Sequence, residues 1–408
     1  MRQRLGRWCV AVCVLLGATA APAAAAPRVD RQEGEPPVVY LEGGPYELGL
    51  QHGRLLQPEV HASVEETLAH FRGALRVPLV SGFLINRWLD WIYAQAEPFI
   101  PPDYKEEMRG LAEGSGVPLR EIHRLHAIPD ATGTGCSSLA VFGHATTDGR
   151  LYHTRNLDWN IKAGVQRHAA VFVVHPARGV PFINVGYAGF IGVLSGINAH
   201  GVSVAQIGAE TADETFAGMP MPFVLRQVLQ TSPNLDLASW IVMQVARTRG
   251  YNYVFADAIT RQAIALETTR RVGVLFRPDD PKEHRVPYAL PIADAVVRAD
   301  TAMDRGIRSL QRASGGQPGQ HPSPSPIGSG AYEQRYKGQA TRIQAQYGRL
   351  DVLRVRQIAQ AVAPPSNVQS VVYAYPDLWV ANAEGKTPAA QTDYRHYAID
   401  DLLNASAP

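Results

Sequence analysis

Three residues of this chain stand where their types could act together on an acyl carbon: Cys136, Arg155 and Asp158. A thiol can attack a carbonyl carbon. A guanidinium can favour the thiolate or bind an acyl oxygen, and a carboxylate can hold a protonated amine through a charge-assisted hydrogen bond. Cys136 is preceded by Thr132-Gly133-Thr134-Gly135 and followed by Ser137-Ser138-Leu139-Ala140-Val141. The two glycines permit a tight peptide, and the period-two apolar run after them predicts a strand that starts at the cysteine. This placement differs from papain-like enzymes, whose nucleophile opens a helix, and there is no G-x-S-x-G elbow. If the Gly135–Cys136 bond were cut, Cys136 would carry a free α-amine with a reference pKa of about 8. One residue would then supply both nucleophile and base.

The thiol stands alone once the first residues are set aside. Arg2, Arg4 and Arg7, the apolar run Trp8–Leu16 and the small residues Ala20–Ala26 read as a secretory signal over 1–26. Cys9 and Cys13 lie inside it, so the exported chain keeps Cys136 without a disulfide partner. A buried, inert cysteine is an equally consistent reading of that fact alone. Without the three arginines the formal charge falls from +2 to about −1, which implies no nucleic-acid partner. No later run has the length of a membrane span. The expected location is extracytoplasmic.

Positioning the thiol requires a hairpin. Ser137–Phe142 reads as its first strand, Asp148-Gly149 as the turn and Leu151–Arg155 as the return. Arg155 and Asp158 are three apart, so on a regular strand they face opposite sides, and both reach Cys136 only if the strand ends or bulges near Asn156. A surface ion pair at a strand end is the plainer reading. Before Cys136 the pattern is helical, over Tyr46–Arg72, Asp103–Ser115 and Pro118–His126. After it come strands at 170–174, 181–185, 190–194 and 202–207, helices at 220–229 and 235–246, strands at 253–257, 263–267 and 272–276, a long helix at Ile292–Leu310, and late strands at 368–373 and 378–381. Strands in hairpins, then helices, then strands suggest an antiparallel α+β layered fold. Residues 314–329, rich in Gly, Pro and Ser, read as a flexible loop. No H-E-x-x-H or H-x-x-x-H spacing suggests a metal. His153 reads as a surface or core-edge residue, and Trp88, Trp91 and Tyr93 as core or the wall of an acyl pocket.

Cys-Ser-Ser, the Asp-Gly hairpin and Arg155-Asn156-Leu157-Asp158-Trp159 resemble the start of the catalytic chain in choloylglycine-hydrolase-like enzymes. These include penicillin V acylase, bile salt hydrolase, acid ceramidase and N-acylethanolamine acid amidase. The isopenicillin-N acyltransferase branch, peptidase family C45, is the nearest in pattern. Gly43-Gly44-Pro45-Tyr46-Glu47-Leu48-Gly49 with Gln51-His52-Gly53, Met108–Ser115 and Gly196-Ile197-Asn198-Ala199-His200-Gly201 resemble its other signatures. The resemblance implies an N-terminal-nucleophile fold, a four-layer αββα sandwich with a mainly helical N-terminal segment. It implies a precursor cut in cis before Cys136 into a 27–135 segment and a catalytic 136–408 segment that stay associated. The activity implied is hydrolysis of linear N-acyl amides through an acyl-thioester, or transfer of the acyl group to an amine, on a small-molecule substrate and with no metal or organic cofactor. Carried over by residue, Cys136 is the nucleophile, Arg155 an active-site arginine and Asp158 the residue that orients the α-amine. The pattern expects an oxyanion asparagine near Arg298-Ala299-Asp300-Thr301, where Asp300 stands instead. An ionised aspartate would repel an oxyanion. Asn252 is a candidate substitute donor, otherwise a turn residue opening a strand. Glu210 is a candidate acidic pocket residue, otherwise a solvated charge. A non-catalytic binding protein on this scaffold is the alternative that Asp300 motivates.

Overall fold

The structure is a computed structural model of the 408-residue chain, described over residues 27–73, 78–133, 135–311, 331–384 and 386–405. The signal read at 1–26 and the loop read at 314–329 lie outside these residues. Helices α1 (Pro45–Leu55), α2 (Gln57–Arg72), α3 (Pro78–Ala96), α4 (Pro102–Ser115) and α5 (Leu119–Ala131) precede the cysteine, together with strands β1 (Arg28–Asp30) and β2 (Val38–Gly43). After it come β3 (Gly135–Gly143), β4 (Gly149–Asp158), β5 (Ala169–Pro176), β6 (Phe182–Tyr187), β7 (Ser195–Asn198), β8 (Val202–Gly208), α6 (Met221–Thr231) and α7 (Leu235–Gln244). Then follow β9 (Tyr251–Asp257), β10 (Gln262–Thr268), β11 (Gly273–Phe276), β12 (Ala295–Arg298), α8 (Arg305–Leu310), α9 (Ala331–Ala345) and α10 (Val352–Val362). The last elements are β13 (Asn367–Ala374), β14 (Asp377–Asn382), β15 (Arg395–Ala398) and α11 (Ile399–Asn404).

These elements form four layers. A nine-stranded sheet runs β1-β2-β5-β6-β7-β8-β9-β10-β11, and a six-stranded sheet runs β12-β3-β4-β13-β14-β15. Alternation along each strand explains the stacking. Phe172, Phe182, Val204 and Phe255 turn one face of the large sheet towards Leu68, Leu111 and Leu125 of the N-terminal helices. The opposite face meets the small sheet, where Ala205, Ile207 and Val254 pack on Cys136, Ala140 and Leu157. The far face of the small sheet carries Leu139, Val141 and Val372 against Tyr336 and Ile343 of α9 and Ile358 of α10. This is the αββα order implied by the resemblance. The pairing is antiparallel except for β2 beside β5, which is parallel. That pair adds β1 and β2 of the N-terminal segment to one edge of the large sheet.

The glycine-rich N-terminal signatures have a packing cause. A Cβ on Gly49 would lie 1.9 Å from the Glu107 carbonyl oxygen, and one on Gly110 would lie 2.0 Å from that of Tyr46. Helices α1 and α4 touch backbone to backbone, which only glycine allows. In the third signature Asn198 Oδ1 accepts the His200 and Val202 amides, and Gly201 closes the turn at φ +79°.

Three expectations are corrected. The helix read over 292–310 is a strand, β12, followed by the short α8, because 295–298 pair with β3. An apolar run of that length fits either period, and sheet pairing decided it. His153 is fully buried between the sheets, with Nδ1 2.8 Å from Ser203 Oγ and Nε2 3.1 Å from Ser138 Oγ. Of the aromatic cluster, Tyr93 is buried but Trp91 is 51% exposed. Both lie on α3, a helix missing from the sequence reading.

Candidate active site

Cys136 sits one residue inside β3 and is completely buried. Its register is Gly135 opposite Asp158, Cys136 opposite Leu157 and Ser138 opposite Arg155. Along this edge β3 and β4 pair without a bulge, so Arg155 and Asp158 do face opposite sides of the sheet. The strand does not end near Asn156, as the sequence reading required for both to reach the cysteine from one side. The site is instead built on both faces, with the Gly135–Cys136 peptide in the plane between them.

The inner face, between the sheets, holds the sulfur. Arg155 Nη2 lies 3.5 Å from Cys136 Sγ and 3.5 Å from Gln206 Oε1. Arg155 is wholly buried, and its Nε and Nη1 make no hydrogen bond within the described residues. Burial pushes the thiol up to about 11; Arg155 works against that rise, while Asp158 and Asp300 add to it. The sulfur is therefore a neutral thiol near neutral pH. Beside it an apolar pocket is lined by Leu157, Trp159, Val165, Tyr187, Phe190 and Leu194.

The outer face, towards α9, holds the carboxylates. Arg335 Nη1 lies 2.5 Å from Asp158 Oδ2 and 3.6 Å from Asp300 Oδ2. Asn367 Nδ2 donates to Asp158 Oδ1 at 3.1 Å and to the Leu157 carbonyl at 3.0 Å. The Cys136 amide donates to Asp300 Oδ1 at 2.8 Å. Register explains this contact. Arg298 is opposite Ser138, so two residues further Asp300 reaches the level of Cys136. Burial raises both carboxyl groups, Asp300 well above its ordinary value; Arg335 opposes the rise in both, and Asp158 adds to it in Asp300. A cavity of about 710 Å³ opens on this side, with Thr132, Gly133, Gly135, Asp158, Trp159 and Arg335 in its wall.

Of the residues selected from the sequence, Cys136, Arg155, Asp158 and Asp300 come together here. The nitrogen of Cys136 is held by Asp300, whereas Asp158 is held by Arg335 and Asn367. Asn252 is adjacent in a different capacity. Its Nδ2 donates to the carbonyls of Ala299 at 2.9 Å and Thr301 at 3.0 Å, and so fixes the backbone on either side of Asp300. Glu210 faces the segment ahead of the cysteine: a Cβ on Gly133 would lie 2.6 Å from its Oε1, and Arg249 Nη2 is 3.8 Å from the same oxygen. Arg335, Gln206 and Asn367 were not anticipated. Each lies in an ordinary helix or strand among other polar residues, with no local motif to mark it.

Residues 145–282 match the family model described as acyl-coenzyme A:6-aminopenicillanic acid acyl-transferase. The match includes Arg155 and Asp158 and begins after Cys136. Among curated proteins the chain is 28% identical over 262 residues to protein dcd1B of Dictyostelium discoideum, covering 60% of this chain and 52% of that protein. It is 26% identical over 289 residues to dcd1A of the same organism, covering 64% and 66%. The chain thus spans about half to two thirds of the length of these relatives. A solved structure of the Caenorhabditis elegans N-acylethanolamine-hydrolyzing acid amidase ortholog aligns with 14% identity over 59% of this chain and 92% of that one, at a TM-score of 0.43. Over residues 145–282 the chain is thus similar to the acyl-coenzyme A:6-aminopenicillanic acid acyl-transferase family, in line with the resemblance read from its sequence.

Proposed function

We propose that this chain is a self-cleaving cysteine amidohydrolase that cuts linear N-acyl amides through an acyl-thioester on Cys136. The observation that carries the reading is the double hold on one residue. The sulfur of Cys136 faces a buried guanidinium, and its nitrogen faces a buried carboxylate.

Self-cleavage begins with addition of the thiol to the Gly135 carbonyl carbon. The C–N bond to Cys136 breaks, the nitrogen takes the thiol proton, and water then hydrolyses the Gly135 thioester. The freed α-amine becomes the base for turnover. It accepts the thiol proton as sulfur attacks the substrate carbonyl, then returns it to the leaving nitrogen. Arg155 stabilises the anionic sulfur. The cavity in front of Gly135, about 710 Å³, takes the substrate. No step requires a metal or organic cofactor. The two segments remain together because β2 is hydrogen-bonded within the large sheet and Leu41, Leu68 and Leu125 share its core. The signal read over 1–26 supports an activity outside the cytoplasm.

Acyl transfer to an amine is the second reading, favoured by the description of the matched family. The two differ in whether water is kept from the acyl-enzyme. Intact mass and N-terminal sequencing of fresh protein test the proposal. A fragment beginning Cys-Ser-Ser-Leu, with turnover of an N-acyl chromogenic amide and acyl labelling of Cys136, is the expected result. Full activity in uncut chain, or cutting at Gly135 in a Cys136→Ala variant, defeats it.

A further inference from the structure

We propose that Asp300 is the counter-ion of the α-ammonium created at Cys136, and thereby the residue that positions this amine and sets its basicity. The inference rests on the self-cleavage reading and goes beyond it, since the resemblance assigns amine orientation to Asp158.

The charges around the uncut peptide do not balance. Asp158 and Asp300 are both buried beside Gly135, and a Cβ there would lie 3.6 Å from one carboxylate and 3.7 Å from the other. One guanidinium serves both. Arg335 is 2.5 Å from Asp158 and 3.6 Å from Asp300, so Asp158 has the closer share. Asp300 Oδ1 already accepts the Cys136 N–H at 2.8 Å, and its Oδ2, fully buried, has no hydrogen-bond partner within the described residues. A buried carboxylate oxygen without a donor is costly. Water added across the Gly135–Cys136 bond leaves a carboxylate on Gly135 and an amine on Cys136, and the amine takes up a proton. The resulting N–H donors appear at the atom Asp300 already faces. Arg335 then answers Asp158, and the ammonium answers Asp300.

Asp300 is held for this role. Asn252 fixes the carbonyls on both sides of it, and Gln311 Nε2 lies 3.4 Å from its own carbonyl. The ionisable groups that face it are Asp158 from β4, Arg335 from α9, Glu210 from the segment after β8 and the Cys136 thiol from β3. Among these Arg335 opposes an ammonium, whereas Asp158 and Glu210 reinforce Asp300 in favouring it. The sign follows. An ionised Asp300 stabilises the protonated amine and raises its pKa. Turnover needs the neutral amine, so the charge of Asp300 moves the acid limb of the pH profile upward.

Asp300→Asn keeps an acceptor for the amine and removes the charge. In the cut variant the acid limb of kcat/KM is expected to move down by about one pH unit or more, the usual effect of an opposite charge at this range. An unmoved limb overturns the proposal. A purely structural defect would lower the rate without shifting the limb. Should Asp300→Asn fail to cut itself, the wild-type protein decides. With ¹⁵N-cysteine in the chain, NMR titration of the Cys136 α-amine is expected to give a pKa above the reference of about 8, and a value at or below it overturns the assignment. If wild-type protein is active but uncut, the self-cleavage reading falls first. If it is cut and active but the limb does not move, only the assignment to Asp300 falls.

Discussion

Arg155 and Arg298 lie in one row of the six-stranded sheet, on either side of Ser138. Both are completely buried. Arg298 is surrounded by opposite charge: its Nε is 2.8 Å from Glu267 and its Nη2 2.6 Å from Glu283. Arg155 has no carboxylate partner among the described residues. Its contacts are a thiol and an amide oxygen, each at 3.5 Å. Two identical side chains, one strand apart, therefore have opposite electrostatic positions. A buried cation that the fold has neutralised is part of the structure. One left without an anion is costly, and it is retained where an anion will arise. Under the proposed function, the thiolate and the developing oxygen of an acyl intermediate are the anions that would arise beside Arg155.

The largest effect should come from removing the neutralised member. Arg298→Met leaves Glu267 and Glu283 buried together without their cation, at a cost of about 3–5 kcal/mol. Chemical denaturation should show this loss directly. If stability is unchanged, the ion triad is not what sets the two arginines apart.

Arg155→Met should do the reverse. It removes an unpaired buried charge, so stability is expected to stay within about 1 kcal/mol of the wild type or to rise. Activity should fall about a hundredfold or more, the scale for losing one buried charge stabiliser. The thiol should become still less acidic than about 11, since Arg155 is what opposes the rise caused by burial. Alkylation of uncut chain by iodoacetamide at pH 8 should slow accordingly. Faster alkylation would mean that Arg155 does not act on the sulfur.

Asn252→Ala tests the segment that leads from Arg298 to the site. It unpairs the carbonyls of Ala299 and Thr301, at a cost of about 1–3 kcal/mol, and frees Asp300 to move. Self-cleavage, followed by intact mass, should slow more than this loss of stability would cause by itself. Equal rates of cutting would show that the Asp300 backbone is held by β12 alone.

The same pair of arginines marks how far the sequence can be read. Arg155 was legible because it sits in a local run, Arg155-Asn156-Leu157-Asp158, on a hairpin whose Asp-Gly turn fixes the register. Arg298 and Asp300 were misplaced on a helix. Nothing within 292–310 reveals that 295–298 pair with a strand some 150 residues earlier, and an apolar run is ambiguous until its partner is known. Arg335 and Asn367 escaped for a related reason. They meet Asp158 only after α9 and β13 have packed on the small sheet. The layered α+β class was legible because helical runs precede Cys136 and strand runs follow it, while the αββα order came with the resemblance. The two-faced site was not. Alternation correctly puts Arg155 and Asp158 on opposite sides, but it does not show that the Gly135–Cys136 peptide lies between those sides.

Ser138, between the two arginines, should give the smallest effect. Its Oγ donates to the Thr154 carbonyl at 2.6 Å and meets His153 Nε2 at 3.1 Å. Ser138→Ala should cost about 1 kcal/mol, the net worth of a buried hydrogen bond, and leave turnover within about twofold. His153 supplies an internal control. Burial pushes its pKa down to about 3, with Arg155 adding to the effect. The folded chain therefore keeps it neutral while the unfolded chain takes up a proton near pH 6.5, so its contribution to stability falls as the pH drops from about 6.5 towards 3. Because burial rather than Ser138 causes that shift, the acid slope of stability should be the same in Ser138→Ala and wild type. A tenfold loss of turnover with the slope intact would mean that the position of Arg155 depends on the hydroxyl beside it, and the two arginines could no longer be treated as independent.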